Sequence, residues 1–155
     1  MVLKKLYQDI GEVYLENLKS KETETERMVK TRLNQGFFGT VVMANYDTTY
    51  CITGLKTPQM LEAAHIVSWK NDVKNRINPQ NGLCLNRLHR KAFDEGYFTI
   101  MNDFSIQVSK YLDDFEDSMG LDFLKSQNEK TIKTPIQFMP KVEFLTYHQE
   151  HIFLK

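Results

Sequence analysis

The sequence predicts a single α+β domain, and three observations point there. Apolar residues recur at helical spacing over residues 2–18 and again from Glu24 onward. Near residue 47 that texture gives way to short apolar runs broken by turn residues. Helical spacing returns in the last third of the chain, over residues 113–127 and 141–153. With 155 residues, a core of this mixed type needs no disulfide or structural metal to hold it.

Taken in order, residues 2–18 place Leu3, Leu6, Tyr7, Ile10, Val13 and Tyr14 on one stripe of an amphipathic helix. The polar run 19–25 is a linker or helix boundary. A second helical pattern carries Met28, Leu33, Phe37, Phe38, Val41, Val42 and Tyr46, although Gly36 and Gly39 leave two shorter helices as the alternative. Residues 47–49 and 53–54 are turn-like, 60–67 form a strand, and 68–80 a polar loop. Asn81-Gly82 is a turn signal before the apolar stretch 83–85. Residues 86–94 suit a short helix, with Asn86 as its N-cap and Gly96 just past its end. Segments 97–101 and 104–109 flank Asn102-Asp103 as a β-hairpin would. A helix over 113–127, a polar loop over 128–135 and a closing helix over 141–153, after Pro140, complete the chain. Residues 1–21 read as an N-terminal helix or arm and 22–155 as the main domain.

The formal charge is zero, from 20 basic and 20 acidic side chains. Any nucleic-acid footprint must therefore be local, because phosphate contacts need clustered Lys and Arg. Two cysteines without a CxxC pair argue against a disulfide scaffold and for a reducing compartment. No run approaches the roughly 18 apolar residues of a membrane span, and the N-terminus lacks an apolar signal core. The expectation is a soluble, cytoplasmic protein with no membrane partner.

The most informative residues lie between Cys51 and Gly96. His65 stands in Glu62-Ala63-Ala64-His65-Ile66-Val67, Asn81 in Gln80-Asn81-Gly82-Leu83, and His89 in Leu88-His89-Arg90-Lys91-Ala92-Phe93-Asp94. This is a strand histidine, a turn asparagine and a helix histidine. Phosphodiester hydrolysis needs a deprotonated water, charge neutralisation at phosphorus and help for the departing 3′-oxygen. An imidazole titrating near neutrality is a suitable base, and one divalent cation can stabilise both the phosphoryl charge and the leaving oxygen. A strand–turn–helix unit can hold base and cation on opposite sides of one phosphate.

These blocks, CITGL, EAAHIVSW, NRINPQNGLCL, LHRKAFDEG and YFTI, resemble the HNH endonuclease family with its ββα-metal core. They are most similar to the subgroup with a small-small-His-Ile strand, an Asn-Gly-Leu turn and a Phe-Asp-x-Gly helix end. ETERMVKTRLNQGFFGTVVMANY and MPKVEFLTYHQEHIF resemble the flanking helices, so the likeness spans about residues 22–153 around a core motif at 51–100. It implies a ββα core flanked by N-terminal helices, a hairpin and a C-terminal helix. It also implies a DNA endonuclease that leaves a 5′-phosphate and a 3′-hydroxyl, in a restriction or defence setting by association. His65 would be the general base, His89 a metal ligand, and Asn81 a base-orienting residue or ligand. Many such enzymes carry a ligating Asp directly before the base histidine, whereas this chain has Ala64. Asp94 or Glu62 would then supply the carboxylate. The implied cofactor is a divalent metal, Mg²⁺ first, with Mn²⁺, Zn²⁺ or Ni²⁺ as substitutes.

Each residue also has a plainer reading. His65 alone would be a strand histidine paired with a backbone carbonyl, Asn81 a residue tolerating a left-handed turn, and Asp94 a helix-end carboxylate. Cys51 and Cys84 with the two histidines could form a structural zinc site, but they equally read as small buried hydrophobes. His148 and His151 read as packing or surface residues. Between residues 51 and 100, seven basic side chains face four acids, a local excess of +3. Arg76, Arg87, Arg90, Lys91 and Lys70 are the candidate phosphate contacts, and Trp69 either stacks on a nucleotide or joins the core. The implied partner is DNA, with homodimerisation as one route to duplex cleavage. The competing reading is a non-catalytic DNA-binding module on a degenerate HNH scaffold.

Overall fold

The computed structural model describes residues 2–17, 23–116 and 119–155. Its architecture is α+β. Two long helices, α1 (Val2–Asn17) and α2 (Glu24–Asn45), precede the antiparallel pair β1 (Leu61–His65) and β2 (Gly82–Asn86). Helix α3 (Arg87–Asp94) follows β2 directly. A second antiparallel pair, β3 (Phe98–Ile100) and β4 (Ile106–Val108), precedes α4 (Met119–Lys125) and α5 (Val142–His151). The order β1–β2–α3 is a ββα unit.

Helix α2 is continuous across Gly36 and Gly39, where the sequence left two shorter helices open. Its start is set by a capping box. The Thr23 hydroxyl accepts from the Glu26 backbone N–H, and the Glu26 carboxylate accepts from that of Thr23. The polar boundary expected at 19–25 thus ends in a cap at Thr23, while residues 19–22 and the division at 21/22 lie outside the described residues. Helix α1 packs on the body. The Tyr14 hydroxyl donates to the Val73 carbonyl at 2.8 Å, and the Tyr7 ring meets Phe138 edge-on.

The helix expected over 113–127 is broken. Residues 110–114 form a 3₁₀ turn, Phe115 takes extended backbone and sets its ring edge-on to Tyr111, and α4 begins at Met119. The expected caps of α3 hold. The Asn86 side chain accepts from the His89 N–H at 2.7 Å, and Gly96 adopts φ +77°. A side chain at Gly96 would also strike the Ile152 carbonyl, so the chain turns there directly beneath the end of α5.

The core gathers Phe38, Val42, Tyr46, Leu83, Leu85, Phe93, Phe98 and Leu145 around the β1–β2 ribbon. Alternation along β1 sends Ala63 and His65 to one face and Glu62 and Ala64 to the other. α2 lies on the His65 face, with Phe38 against His65 and Met43 against Cys84. α3 serves the other face, where Glu62 meets Arg87 and Arg90. Among the described residues, no helix is long and apolar enough to cross a membrane.

Candidate active site

His65 ends β1 directly opposite Gly82. Opposed residues in an antiparallel pair share a face, and a Cβ at Gly82 would stand 2.4 Å from Val42 and 3.0 Å from Phe38. The bare glycine lets α2 approach closely, and the Phe38 ring lies flat on the His65 imidazole with centroids 3.6 Å apart. Trp69 closes a second side, edge-on at 5.8 Å. The imidazole therefore has little freedom to rotate.

One hydrogen bond fixes its tautomer. His65 Nε2 lies 2.8 Å from the Arg76 carbonyl oxygen. A carbonyl can only accept, so Nε2 carries the hydrogen and Nδ1 keeps its lone pair. Burial, followed by the charges of Arg90 and Arg76, pulls the pKa below the ordinary imidazole value, against the opposing effect of the carbonyl bond. A neutral imidazole with an uncommitted Nδ1 is the form a general base requires.

The loop carrying that carbonyl is built around Trp69 and Arg76. Arg76 Nε donates to the Trp69 carbonyl at 2.8 Å, and its guanidinium lies 4.7 Å from the indole centroid. Asn81 anchors the loop at its β1 end. Its side chain is fully buried, with Oδ1 accepting from Val67 N at 2.8 Å and Nδ2 donating to Val67 O at 3.0 Å. Its carbonyl accepts from Ile66 N as well. Both ends of the amide are thus committed to the backbone just after His65.

A cleft of about 660 Å³ runs along the outer edge of β1 and is lined by His65, Glu62, Ser68, Trp69, Arg90 and Asp94 among others. Arg90 pairs with Glu62 at 2.8 Å and, more loosely, with Asp94 at 3.7 Å. Desolvation raises the Asp94 carboxyl pKa. Arg87 is largely exposed and bonds the second oxygen of Glu62. Lys91 is tied to Glu95 on the exposed side of α3, and Lys70 is exposed on the loop.

His89 does not join this cleft. The expectation that His65 and His89 face one another across one phosphate is not met. β2 begins opposite His65 and ends opposite Leu61, so α3 starts four strand residues away, about 13 Å by ordinary strand rise. His89, in the first turn of α3, is 4% exposed and stacks under Phe123 of α4. Its Nδ1 is hydrogen-bonded to the Tyr50 hydroxyl, and Asn86 Nδ2 lies 3.3 Å away. Because Asn86 Oδ1 is the helix cap, the atom facing Nδ1 is an N–H donor. Nδ1 therefore accepts, and Nε2 carries the hydrogen and offers no lone pair to a cation.

Among the described residues, no group of three or more His, Cys, Asp or Glu side chains is placed to hold an ion. The two carboxylates that line the cleft with His65, Glu62 and Asp94, are both paired with Arg90. This arrangement does not fit a divalent ion caged by protein ligands. The zinc reading fares no better, since the two cysteines and two histidines are not gathered. Burial raises both thiol pKa values, that of Cys84 to about 11, which disfavours the thiolate that zinc requires. His148 is a packing residue, bonded to Thr99 and to the Phe93 carbonyl.

Residues 50–101 match the HNH endonuclease family model. The matched segment runs from Tyr50, the partner of His89, through β1, the loop, β2 and α3 to the end of β3. Nucleases of this family act on DNA and generally use a divalent metal. A search of curated proteins found no match. Within the matched segment sequence reasoning singled out His65 and Arg90, which line the cleft, and Asn81, whose side chain holds the backbone after His65. It missed Tyr50 as the partner of His89, and it missed Phe38, which lies outside the segment and leaves no mark beyond helical spacing.

Proposed function

We propose that the chain is a DNA endonuclease in which His65 Nδ1 takes a proton from the attacking water. One observation carries this reading: Nε2–H is anchored on the Arg76 carbonyl, so the free lone pair of a neutral imidazole is left at Nδ1, in a residue that lines an open cleft. The water oxygen bonds to phosphorus as its proton passes to Nδ1. The bond to the 3′-oxygen breaks, leaving a 5′-phosphate and a 3′-hydroxyl that takes its proton from solvent. Asn81 acts as a positioning residue, since it fixes the backbone leaving β1. Arg87 and Arg90 supply positive charge at the rim.

A divalent cation, Mg²⁺ in the first instance, is part of the proposal on family grounds alone, and no step is routed through it. A place in restriction or defence rests on the resemblance, and a cytoplasmic one on the sparse, unpaired cysteines. Duplex cleavage by one such site requires two events or two copies of the chain.

Plasmid nicking tests the reading. Wild type should nick supercoiled DNA with Mg²⁺ and stop in EDTA. His65→Ala should still fold and bind DNA, yet cut at least a hundredfold more slowly, the lower end of what a lost general base costs. Full activity in His65→Ala would remove the imidazole from the reaction. A second reading, a DNA-binding module on a degenerate HNH scaffold, is favoured by Ala64 and by the absence of a three-ligand cluster among the described residues. DNA binding without nicking under any divalent ion would select it.

A further inference from the structure

Glu62 holds two arginines at once. Oε1 accepts from Arg87 Nε at 2.7 Å and Oε2 from Arg90 Nη1 at 2.8 Å. The two arginines stand three apart on α3 and so share one side of that helix. They reach across to β1, where Glu62 and Arg90 line the same cleft as His65. A carboxylate with one guanidinium on each oxygen reproduces the contacts that a phosphate makes through two non-bridging oxygens.

Exposure decides whether this is a permanent tie or an exchangeable one. The side chains of Arg87, Arg90 and Glu62 are 74%, 40% and 28% exposed. Ion pairs open to water to this degree contribute little net stability. A DNA phosphate, backed by counterion release along the duplex, competes well against them. Asp94 keeps only a longer contact with Arg90, at 3.7 Å, so Glu62 is that guanidinium's closer anionic partner.

We propose that Glu62 is an internal stand-in for a DNA backbone phosphate, occupying the seat between Arg87 and Arg90 until the substrate displaces it. The bound phosphate would take over both guanidinium contacts and come to rest in the cleft that His65 lines. Glu62 would swing outward, its carboxylate then hydrated. The site is thereby self-blocked against weak anions and open to a polyanion. The idea rests on the nuclease reading only in taking DNA as the ligand.

Binding of a fluorescently labelled short duplex, measured by anisotropy in EDTA, tests this without cleavage. Glu62→Gln should bind roughly three- to tenfold more tightly than wild type, the range expected when two exposed pairs no longer compete. Glu143→Gln, the same charge change at an exposed position on α5, should shift binding less than about twofold. In an Arg87→Gln/Arg90→Gln background the gain from Glu62→Gln should vanish, since no guanidinium is left to liberate. Glu62→Ala repeats the measurement should the glutamine variant fold poorly, and a thermal melt reports folding of each. Unchanged or weaker binding by Glu62→Gln overturns the proposal, as does an equal gain in the double-arginine background or no DNA binding by either protein. Tighter, arginine-dependent binding in a protein that never nicks DNA would sink the cleavage reading and leave this one standing.

Discussion

The Phe38 ring lies flat on the His65 imidazole, with centroids 3.6 Å apart and planes 12° from parallel. The contact joins α2 to the end of β1 and exists because Gly82 leaves the space beside it empty. It helps to bury the imidazole and holds its plane, so one contact bears on both the base's pKa and its aim.

The cleavage rate should therefore rise with pH through an inflection below the ordinary imidazole value near 6.5, as His65 loses its proton. Phe38→Leu keeps the core filled at a cost of about 1.5 kcal/mol or less. It removes the flat contact and lets water reach the ring. The inflection should move up toward 6.5, and kcat should fall by about tenfold as the ring loses its fixed aim. A pH–rate profile of both proteins checks this. An unmoved inflection in Phe38→Leu would mean that Phe38 does not set the burial of His65.

Asn81→Ala removes the two side-chain bonds to Val67 and leaves a buried N–H and C=O without partners. The expected loss is on the order of 3 kcal/mol, read from urea unfolding. Nicking should fall further than the unfolded fraction explains, because the backbone after His65 loses its anchor. A folded, stable Asn81→Ala with lost activity would instead point to direct contact with substrate or cation.

The sequence carried several of the local features, because they depend on neighbours along the chain. Asn86 as the cap of α3 and Gly96 beyond its end follow from backbone groups a few residues away. The Thr23–Glu26 box was equally local, yet it lay at the end of a polar run whose limits composition alone does not set. What the sequence could not carry is which side of the ribbon each helix covers. His65 and His89 are close in motif order, but β1 turns His65 toward α2 while α3 lies on the opposite face. Phe38, which packs on His65, and Phe123, which packs on His89, come from outside the 50–101 segment. No spacing rule within a motif reports such contacts.

His148 should make the fold acid-sensitive. It is buried, with its pKa lowered to about 4, chiefly by desolvation. The unfolded chain holds a proton on this residue below about 6.5, and the native chain does not until about 4. Its contribution is thus fully present above pH 6.5 and is lost as pH falls toward 4, for a total on the order of 3 kcal/mol. Burial shifts His65 and His89 in the same direction. Melting temperature against pH should drop across this window, and His148→Gln should flatten the drop. An unchanged acid limb in that variant would assign the sensitivity elsewhere.

His89 decides between a structural and a ligating role on this scaffold. In the arrangement described, Nδ1 accepts from Tyr50 and Asn86, Nε2 bears the hydrogen, and Phe123 covers the ring. His89→Ala should therefore destabilise the protein in EDTA, by about 2–4 kcal/mol, from the cavity left and the stranded Tyr50 hydroxyl. Tyr50→Phe should cost less, about 1 kcal/mol, since it removes one hydrogen bond and no volume. A ligand role gives the opposite pattern. Stability in EDTA would barely move, while the stabilisation gained on adding Mg²⁺ or Mn²⁺ would disappear in His89→Ala. The two outcomes separate in one set of melts with and without the ion. The second would require His89 to switch tautomer, with Tyr50 turning from donor to acceptor at Nδ1.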